Sequence, residues 1–475
     1  MRRRSLSPAL AIAAALSGAA SSCGEAVPQT RSLLLITVDT LRADRVGAHG
    51  PSGSLTPVLD RLAREGTALS QCVVPVPRTS QSVASLLTGL HPVHHGVRGL
   101  FWPLPRQGGE TLAERLGGAG YRTAAFTSNV VLRPGQGFER GFSLYDNPRP
   151  RWEKNGAGAV VEDALAWVRR SGGDRWFVWV HLLDPHWPYE PAPPFDAAAG
   201  GVTDGDRTLF AGGPAAGDQG HAGVVFTGVP PDRAAHLRAL YDGEVAATDA
   251  AIGRLISGLE TRGALDRTLV VVTSDHGESL GEHGYWFAHG EYLYDEGIRV
   301  PAIFRAPGLV PAGATLNRLV RTYDLMPTIL DLLAVRPPAE LDGLSRANEI
   351  RAGGDEDARE REIYLESDRE LLRPGNPKRF LPGYDGSWRG LRGEAFAVFR
   401  IPASAGEDWE AYDLVRDPGE AAPAAPGALP DSRRIQERLR HWEARAASAE
   451  PPPVPAADPE HREALRSLGY AAASP

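Results

Sequence analysis

The run 33–38, LLLITV, constrains this chain more than any other stretch. A nearly unbroken apolar segment of that length cannot alternate between a wet and a dry face, so it reads as a strand buried on both sides. Such a strand needs parallel neighbours and helices above and below it. The rest of the chain offers both. Helical periodicity occupies 57–65, 110–116 and 160–170, and further strands are expected at 122–126, 176–181, 269–273 and 300–304. Strands alternating with helices indicate a mostly parallel sheet covered on both faces. The longest helix is expected at 231–260, where Leu237, Leu240, Tyr241, Val245, Ile252, Leu255 and Leu259 make one core-facing stripe with Thr248 in its gap.

Two regions break this pattern. Residues 191–230 are rich in Gly, Ala, Asp and Pro and read as a long surface excursion, placed as a lid near the site. After Leu333 the periodicity weakens: 337–339 and 351–361 read as linkers, 362–365 and 395–401 as short strands, 432–446 as a charged helix and 451–459 as an extended Pro-rich tail. No internal repeat is found. With 475 residues, 42% of them hydrophobic, the chain suits one large domain with an appendage, or two to three domains. Its formal charge of −8 argues against nucleic acid as the main partner, and its two cysteines cannot build a disulfide scaffold.

The N-terminus reads as an export signal. Three arginines at 2–4 precede a short apolar run from Ala9 to Ala20, and small residues lead to Cys23. The run is too short to span a membrane stably. A Cys directly after small residues resembles a bacterial lipoprotein signal, in which that Cys is lipidated and becomes the first residue. Ordinary secretion is the alternative. The expected location is the cell envelope, as a lipoprotein or as a periplasmic or secreted protein, with membrane contact only through the lipid.

In open α/β sheets ligands sit beyond the carboxyl ends of the strands. Two polar clusters fall there: Asp39-Thr40 after LLLITV, and Ser274 to Glu278 (SDHGE) after LVVVT. Carboxylates and an imidazole arriving from two strand ends can converge on a divalent cation; the plainer alternative is that Asp39 and Asp275 cap the following turns. A third segment, RTSQSVASLLTG (78–89), starts a helix at Thr79 or Ser80 and ends it at Gly89. A hydroxyl at a helix N-terminus is either an N-cap or, beside a cation, a nucleophile whose alkoxide the dipole stabilises. His181, His186, His283 and His289 add groups able to bind an anion or transfer protons.

The ordered pieces LLLITVDTLRADRVGAHG, ASLLTGLHPVHHGV, GYRTAAF, HLLDPHWPYEP, YDGEVAATDAAIGRL, VVVTSDHGESLGEHG, YLYDEGIRVPAIFRAPG and DLMPTILDLLAV resemble the sulfatases of the alkaline phosphatase superfamily over about residues 32–335. AYDLVRDPGE and LRSLGYA echo the family more weakly. The resemblance implies an α/β fold, alkaline-phosphatase-like, with a mostly parallel sheet between helices and a smaller C-terminal α+β subdomain. It divides the chain into a signal peptide (1–22), a catalytic domain (23–340) and a C-terminal subdomain and tail (341–475). It implies one divalent metal ion, calcium first, with manganese, magnesium or zinc as alternatives. Asp39, Asp275 and His276 would be its ligands; Thr40 stands where many sulfatases have a further Asp and is taken as the remaining metal position. His186 matches an anion or leaving-group contact, and His289 falls near a Lys that contacts sulfate in many members.

The nucleophile is the main departure. Sulfatases typically have Cys-x-Pro-x-Arg, the Cys oxidised to formylglycine, before Leu-Thr-Gly. Ten residues before Gly89 this chain has Thr79, with Gln81 and Val83 at the Pro and Arg positions. No formylglycine is therefore expected. Cys72 lies too far upstream to substitute, and FTSN, with Asn129, replaces the family's Lys-x-His. Thr at the nucleophile position resembles the superfamily's phosphodiesterases, phosphonate hydrolases and phospho-headgroup transferases. The expected function is metal-dependent hydrolysis of a sulfate or phosphate ester, small-molecule or glycan, with catalytic residues Thr79, His186 and His289. An envelope phospho-headgroup transferase and a catalytically weak binding protein are the alternatives.

Overall fold

In the computed structural model, the described residues are 32–50, 55–148, 156–171, 175–211, 228–354, 361–367, 388–403, 406–424, 427, 429 and 431–447. The expected signal at 1–22, Cys23 and the Pro-rich stretch 451–459 lie outside them.

The strands are β1 Ser32–Val38, β2 Thr67–Val73, β3 Arg122–Thr127, β4 Leu144–Asp146, β5 Trp176–Leu182, β6 Thr268–Ser274, β7 Ser279–Leu280, β8 Trp286–Ala288, β9 Arg299–Val300, β10 Ala302–Arg305, β11 Ala314–Arg321, β12 Glu362–Glu366, β13 Arg389–Gly393, β14 Phe396–Ala403 and β15 Gly406–Asp413. The central sheet runs β11-β2-β10-β6-β1-β5-β3-β4, with β9 beside β2. β1 lies in its middle, parallel to both β5 and β6. This is the α/β architecture expected from LLLITV. Leu33 and Leu35 join one core with Phe177, Trp179, Leu269, Val271 and the Thr79–Thr88 helix, whereas Leu34, Ile36 and Val38 join another with Val178, Val180 and the helices Ala157–Arg170 and Pro231–Thr261. Each such apolar side chain contributes about 1.5–3 kcal/mol when fully buried. Both faces of β1 are used, so no polar alternation is possible.

Three departures from the sequence reading have simple causes. The strand expected at 300–304 is split at Pro301, which lacks an N–H for the ladder, and β10 runs antiparallel to β6 and β2. β2 and β11 were hidden by polar residues: Ser70 and Gln71 are only half-buried, and β11 is an edge strand with a register shift between Leu316 and Leu319. Within the expected excursion, Asp206 receives a hydrogen bond from His236 Nε2 at 2.9 Å, which lays the Asp204–Ala211 helix against the long helix; residues 212–227 lie outside the described set.

β12 to β15 form a C-terminal antiparallel sheet. One face (Ile363, Leu365, Phe399, Ile401) is continuous with the core around the Thr79–Thr88 helix, and the other (Tyr364, Leu391, Val398) is covered by the Ser432–Ala447 helix. Trp442 of that helix stacks on Tyr364 with centroids 5.5 Å apart. Cys72 on β2 is fully buried and free, and burial pushes its thiol well above the usual range.

Candidate active site

Register brings the site together. Val38 of β1 pairs with Leu182 of β5 and with Ser274 of β6, so the residues that follow, Asp39 and Asp275, leave the sheet side by side. Thr37 pairs with His181, the penultimate residue of β5, one residue before that strand ends. Ser274 Oγ ties the two exits: it accepts from Leu41 N and sits 2.6 Å from the carbonyls of Val38 and His276.

One ligand atom from each of Asp39, His181 and Asp275 lies within 4.8 Å of the other two, and all three residues are buried. Asp39 Oδ1, His181 Nε2 and Asp275 Oδ2 have no hydrogen-bond partner among the described residues. Orphaned buried acceptors are costly, by about 1–3 kcal/mol each or more for a charged group. Two carboxylates and an imidazole left this way fit a divalent cation. Burial opposes ionisation of Asp39, but its contact with His181 and the neighbouring His186 and His276 rings outweigh it and hold this carboxyl below the usual range. Asp275 goes the other way: burial and the Asp39 charge push it well up, with Thr79 and backbone N–H groups opposing.

The surroundings orient these donors. His181 Nδ1 lies 2.8 Å from Thr37 Oγ1, which also accepts from Trp179 Nε1, so the Thr37 contact fixes the ring with Nε2 toward Asp39, 3.7 Å from Oδ2. Asn129 Nδ2 donates to Asp39 Oδ2 at 2.6 Å. Such outer contacts hold ligand geometry. His276 Nδ1 donates to Gly277 O, and its Nε2 is 3.6 Å from Asp39 Oδ1, 3.6 Å from Asp275 Oδ2 and 3.4 Å from Thr79 Oγ1. Burial pushes His276 down to about 4, so the ring is neutral at ordinary pH. A side chain on Gly277 would strike Glu296 O, and Gly277 N donates to Gly297 O, which fixes the turn after His276.

Thr79 is the first residue of its helix, 3% exposed, and Gly89 ends that helix in the left-handed region as expected. Ser80 is turned away, accepting from Phe101 N. Arg78, beside Thr79, is fully buried with its guanidinium over Gly290, and its charge bears on His276. His289 and His186 close the group: the ring centroids of His276 and His289 are 4.3 Å apart, and those of His186 and His289 5.1 Å. His289 Nδ1 donates to Glu278 Oε1 at 3.0 Å, and His186 Nδ1 to its neighbour's carbonyl, that of Trp187.

Of the seven residues singled out in the sequence, Asp39, Asp275, His276, Thr79, His186 and His289 are therefore gathered in one buried site. Thr40 is beside them, but its hydroxyl donates to the Asp39 carbonyl at 2.8 Å while its own carbonyl accepts from Tyr241; its φ of +55° is unusual for a β-branched residue. His181 Nε2, 3.7 Å from Asp39 Oδ2, completes the cluster with Asp39 and Asp275. The sequence offered His181 only as an anion-binding or proton-transfer group and Asn129 only as a replacement for the family's Lys-x-His, and Glu278 and Arg78 only as residue types; their places depend on the β1–β5 register and on the return of residues 277–290 across the strand ends.

A family model described as Sulfatase matches residues 31–335. The chain belongs to the sulfatase family. It is 27% identical over 348 residues to an ulvan-active sulfatase of Formosa agariphila, covering 66% of this chain and 64% of that one, so it spans just under two thirds of that relative. It is also 27% identical, over 71% of its own length and 80% of the other's, to the multifunctional alkaline phosphatase superfamily protein PehA of Trinickia caryophylli. Among solved structures, that of BT4656 in complex with D-glucosamine-2-N,6-O-disulfate superposes with a TM-score of 0.70 at 21% identity, covering 89% of this chain and 99% of that one.

Proposed function

We propose that the chain is a metal-dependent hydrolase of sulfate or phosphate esters with Thr79 as its nucleophile. One observation supports this above the others: a buried helix-first hydroxyl 3.4 Å from His276 Nε2, at the edge of the Asp39–His181–Asp275 cluster. Asp39, His181, Asp275 and His276 would hold the cation. Bound there, it would act as a Lewis acid toward the transferring group and favour ionisation of the Thr79 hydroxyl. The mixed oxygen and nitrogen donors suit zinc or manganese better than calcium, which takes six to eight oxygens.

The chain's own groups supply the rest. The helix N-terminus and the Arg78 guanidinium favour an oxyanion at Thr79 and an anionic ester in front of it. Thr79 Oγ, its proton released to solvent on ionisation, forms a bond to sulfur or phosphorus as the bond to the ester oxygen breaks. His289, oriented by Glu278, or its neighbour His186 donates a proton to that leaving oxygen. Water then attacks the Thr79 ester, the same imidazole takes its proton, and sulfate or phosphate leaves with Thr79 restored. A threonine ester is released only by this attack on the central atom, a route well suited to phosphorus, and the relation to PehA supports the broader ester range.

The substrate class we propose is a small-molecule or glycan ester, in keeping with the ulvan-active relative. We also propose export and anchoring through Cys23; among the described residues no helix is long and apolar enough to cross a membrane. The test is a panel of 4-nitrophenyl sulfate, 4-nitrophenyl phosphate and bis(4-nitrophenyl) phosphate with several metals. Thr79→Ala should lower turnover of every accepted ester by about 10³-fold or more, as expected for loss of a nucleophile, with Thr79→Ser partly active. Unchanged turnover in Thr79→Ala would exclude Thr79.

A further inference from the structure

We propose that His283, Glu296 and Glu420 form a second divalent-cation site, of zinc type, that fastens the C-terminal region to the segment bearing the active-site histidines. One ligand atom from each residue lies within 4.8 Å of the others. His283 Nε2 is 3.8 Å from Glu296 Oε2. The three residues come from the turn between β7 and β8, the turn Asp295–Ile298 before β9, and the chain beyond β15. None belongs to the cluster around Asp39.

Two independent features point to a ligand. Glu420 is 1% exposed; its Oε2 accepts from Asp295 N at 2.7 Å, but its Oε1 has no hydrogen-bond partner among the described residues. Neither Glu296 nor Glu420 has an arginine within ion-pair distance among the described residues, because the nearby guanidinium groups are committed elsewhere. Arg42 pairs with Asp44 and Glu282, and Arg299 and Arg392 both pair with Asp295. One buried and one partly buried carboxylate therefore meet one imidazole, a surplus of negative charge that burial makes expensive. The second feature is the way His283 is held. Its backbone sits in the left-handed region (φ +54°, ψ +19°), a conformation that persists where the surroundings impose it. Its ring stacks on Tyr294 with centroids 3.6 Å apart and planes at 14°, which fixes the direction of the ring nitrogens. Two carboxylates and an imidazole, completed by a water as fourth ligand, is a donor set that zinc accepts.

The placement has a consequence for the active site. Residues 277–297 contain Glu278 and His289, and Gly277 is fixed against Glu296 and Gly297. An ion on Glu296 and His283 braces that segment from behind.

The experiment uses full-length protein stripped with a chelator and carrying Asp275→Asn, so that the Asp39 cluster is weakened and binding there is not counted. Zinc chloride is titrated against a chromophoric competitor, and bound zinc is counted by mass spectrometry. One zinc per chain should remain, and it should raise the melting temperature by a few degrees. Adding Glu420→Gln, which keeps the side-chain shape, should weaken zinc binding at least about 10-fold and remove the thermal shift. Where far-UV circular dichroism shows that this variant does not fold, His283→Gln, on the more open turn, takes its place with the same expectation. The proposal is overturned if the Asp275→Asn protein binds no zinc, or if a folded Glu420→Gln or His283→Gln chain binds it as tightly, which would leave His283 as a plain ion-pair partner of Glu296.

Discussion

Asn129 shows how far single residues could be read. The sequence placed it where the family's Lys-x-His is missing, and nothing in the chain said what it touches. In the fold it donates to Asp39 Oδ2 at 2.6 Å. Asp39, Asp275 and Thr79 were legible because each follows a strong signal, a buried strand or a helix start. His181 was read only as an anion-binding or proton-transfer group, because its place beside Asp39 depends on which residue of β1 faces it, and register is invisible in one sequence. If these two residues position the cation, Asn129→Ala should weaken metal affinity about 10–100-fold, and His181→Ala at least as much. Both are measured by competition with a chelator, without reference to turnover. Metal affinity unchanged in His181→Ala would remove it from the ligand set.

At the level of elements, the short helix Pro92–His95 and its surroundings make a pH-dependent joint. His91 Nδ1 accepts from Val93 N and its Nε2 donates to Tyr364 O; His95 Nδ1 accepts from Val97 N while its Nε2 meets Ser85 Oγ. Each ring must be neutral to accept at Nδ1. Burial pushes His91 down to about 4; burial and the neighbouring His91 push His95 down to about 3. A histidine whose folded value lies below its unfolded one binds fewer protons when folded, so stability is present above about pH 6.5 and is lost as pH falls toward 4. Each ring is worth on the order of 3 kcal/mol over that range. Denaturant unfolding of chelated protein should therefore show stability dropping between pH 6.5 and 4, with a shallower drop in His91→Asn/His95→Asn. An equally steep drop in that variant would place the sensitivity elsewhere. The elements themselves were read well where periodicity was strong, as in the long helix Pro231–Thr261, and poorly for β13 and β15, whose Gly, Arg and acidic residues make no apolar pattern.

For the whole molecule, the boundary drawn near residue 340 separates the motifs better than it separates the core. Ile363, Leu365, Phe399 and Tyr412 belong to the same buried cluster as the Thr79–Thr88 helix, and buried Arg98 forks onto Glu366 through Nε and Nη2. Removing residues 341–475 would expose that apolar face and strip Arg98 of both Glu366 and the Ala446 carbonyl that bury and pair it. A chain truncated at 340 is expected to be insoluble or to unfold without a cooperative transition; a soluble, cooperatively melting fragment would show that the first part stands alone. The sequence located the two regions from composition and motif, but a shared core is a three-dimensional property that neither records.

The burial of Cys72 has a practical consequence. With that thiol closed inside β2, maleimide added to native protein reports on Cys23 alone. A chain with a free Cys23 takes up one label when native and two in denaturant. A chain acylated at Cys23 takes up none and then one, and its intact mass distinguishes a fatty acyl group from simple loss of the N-terminal segment. Labelling and intact mass together thus test whether Cys23 carries a lipid.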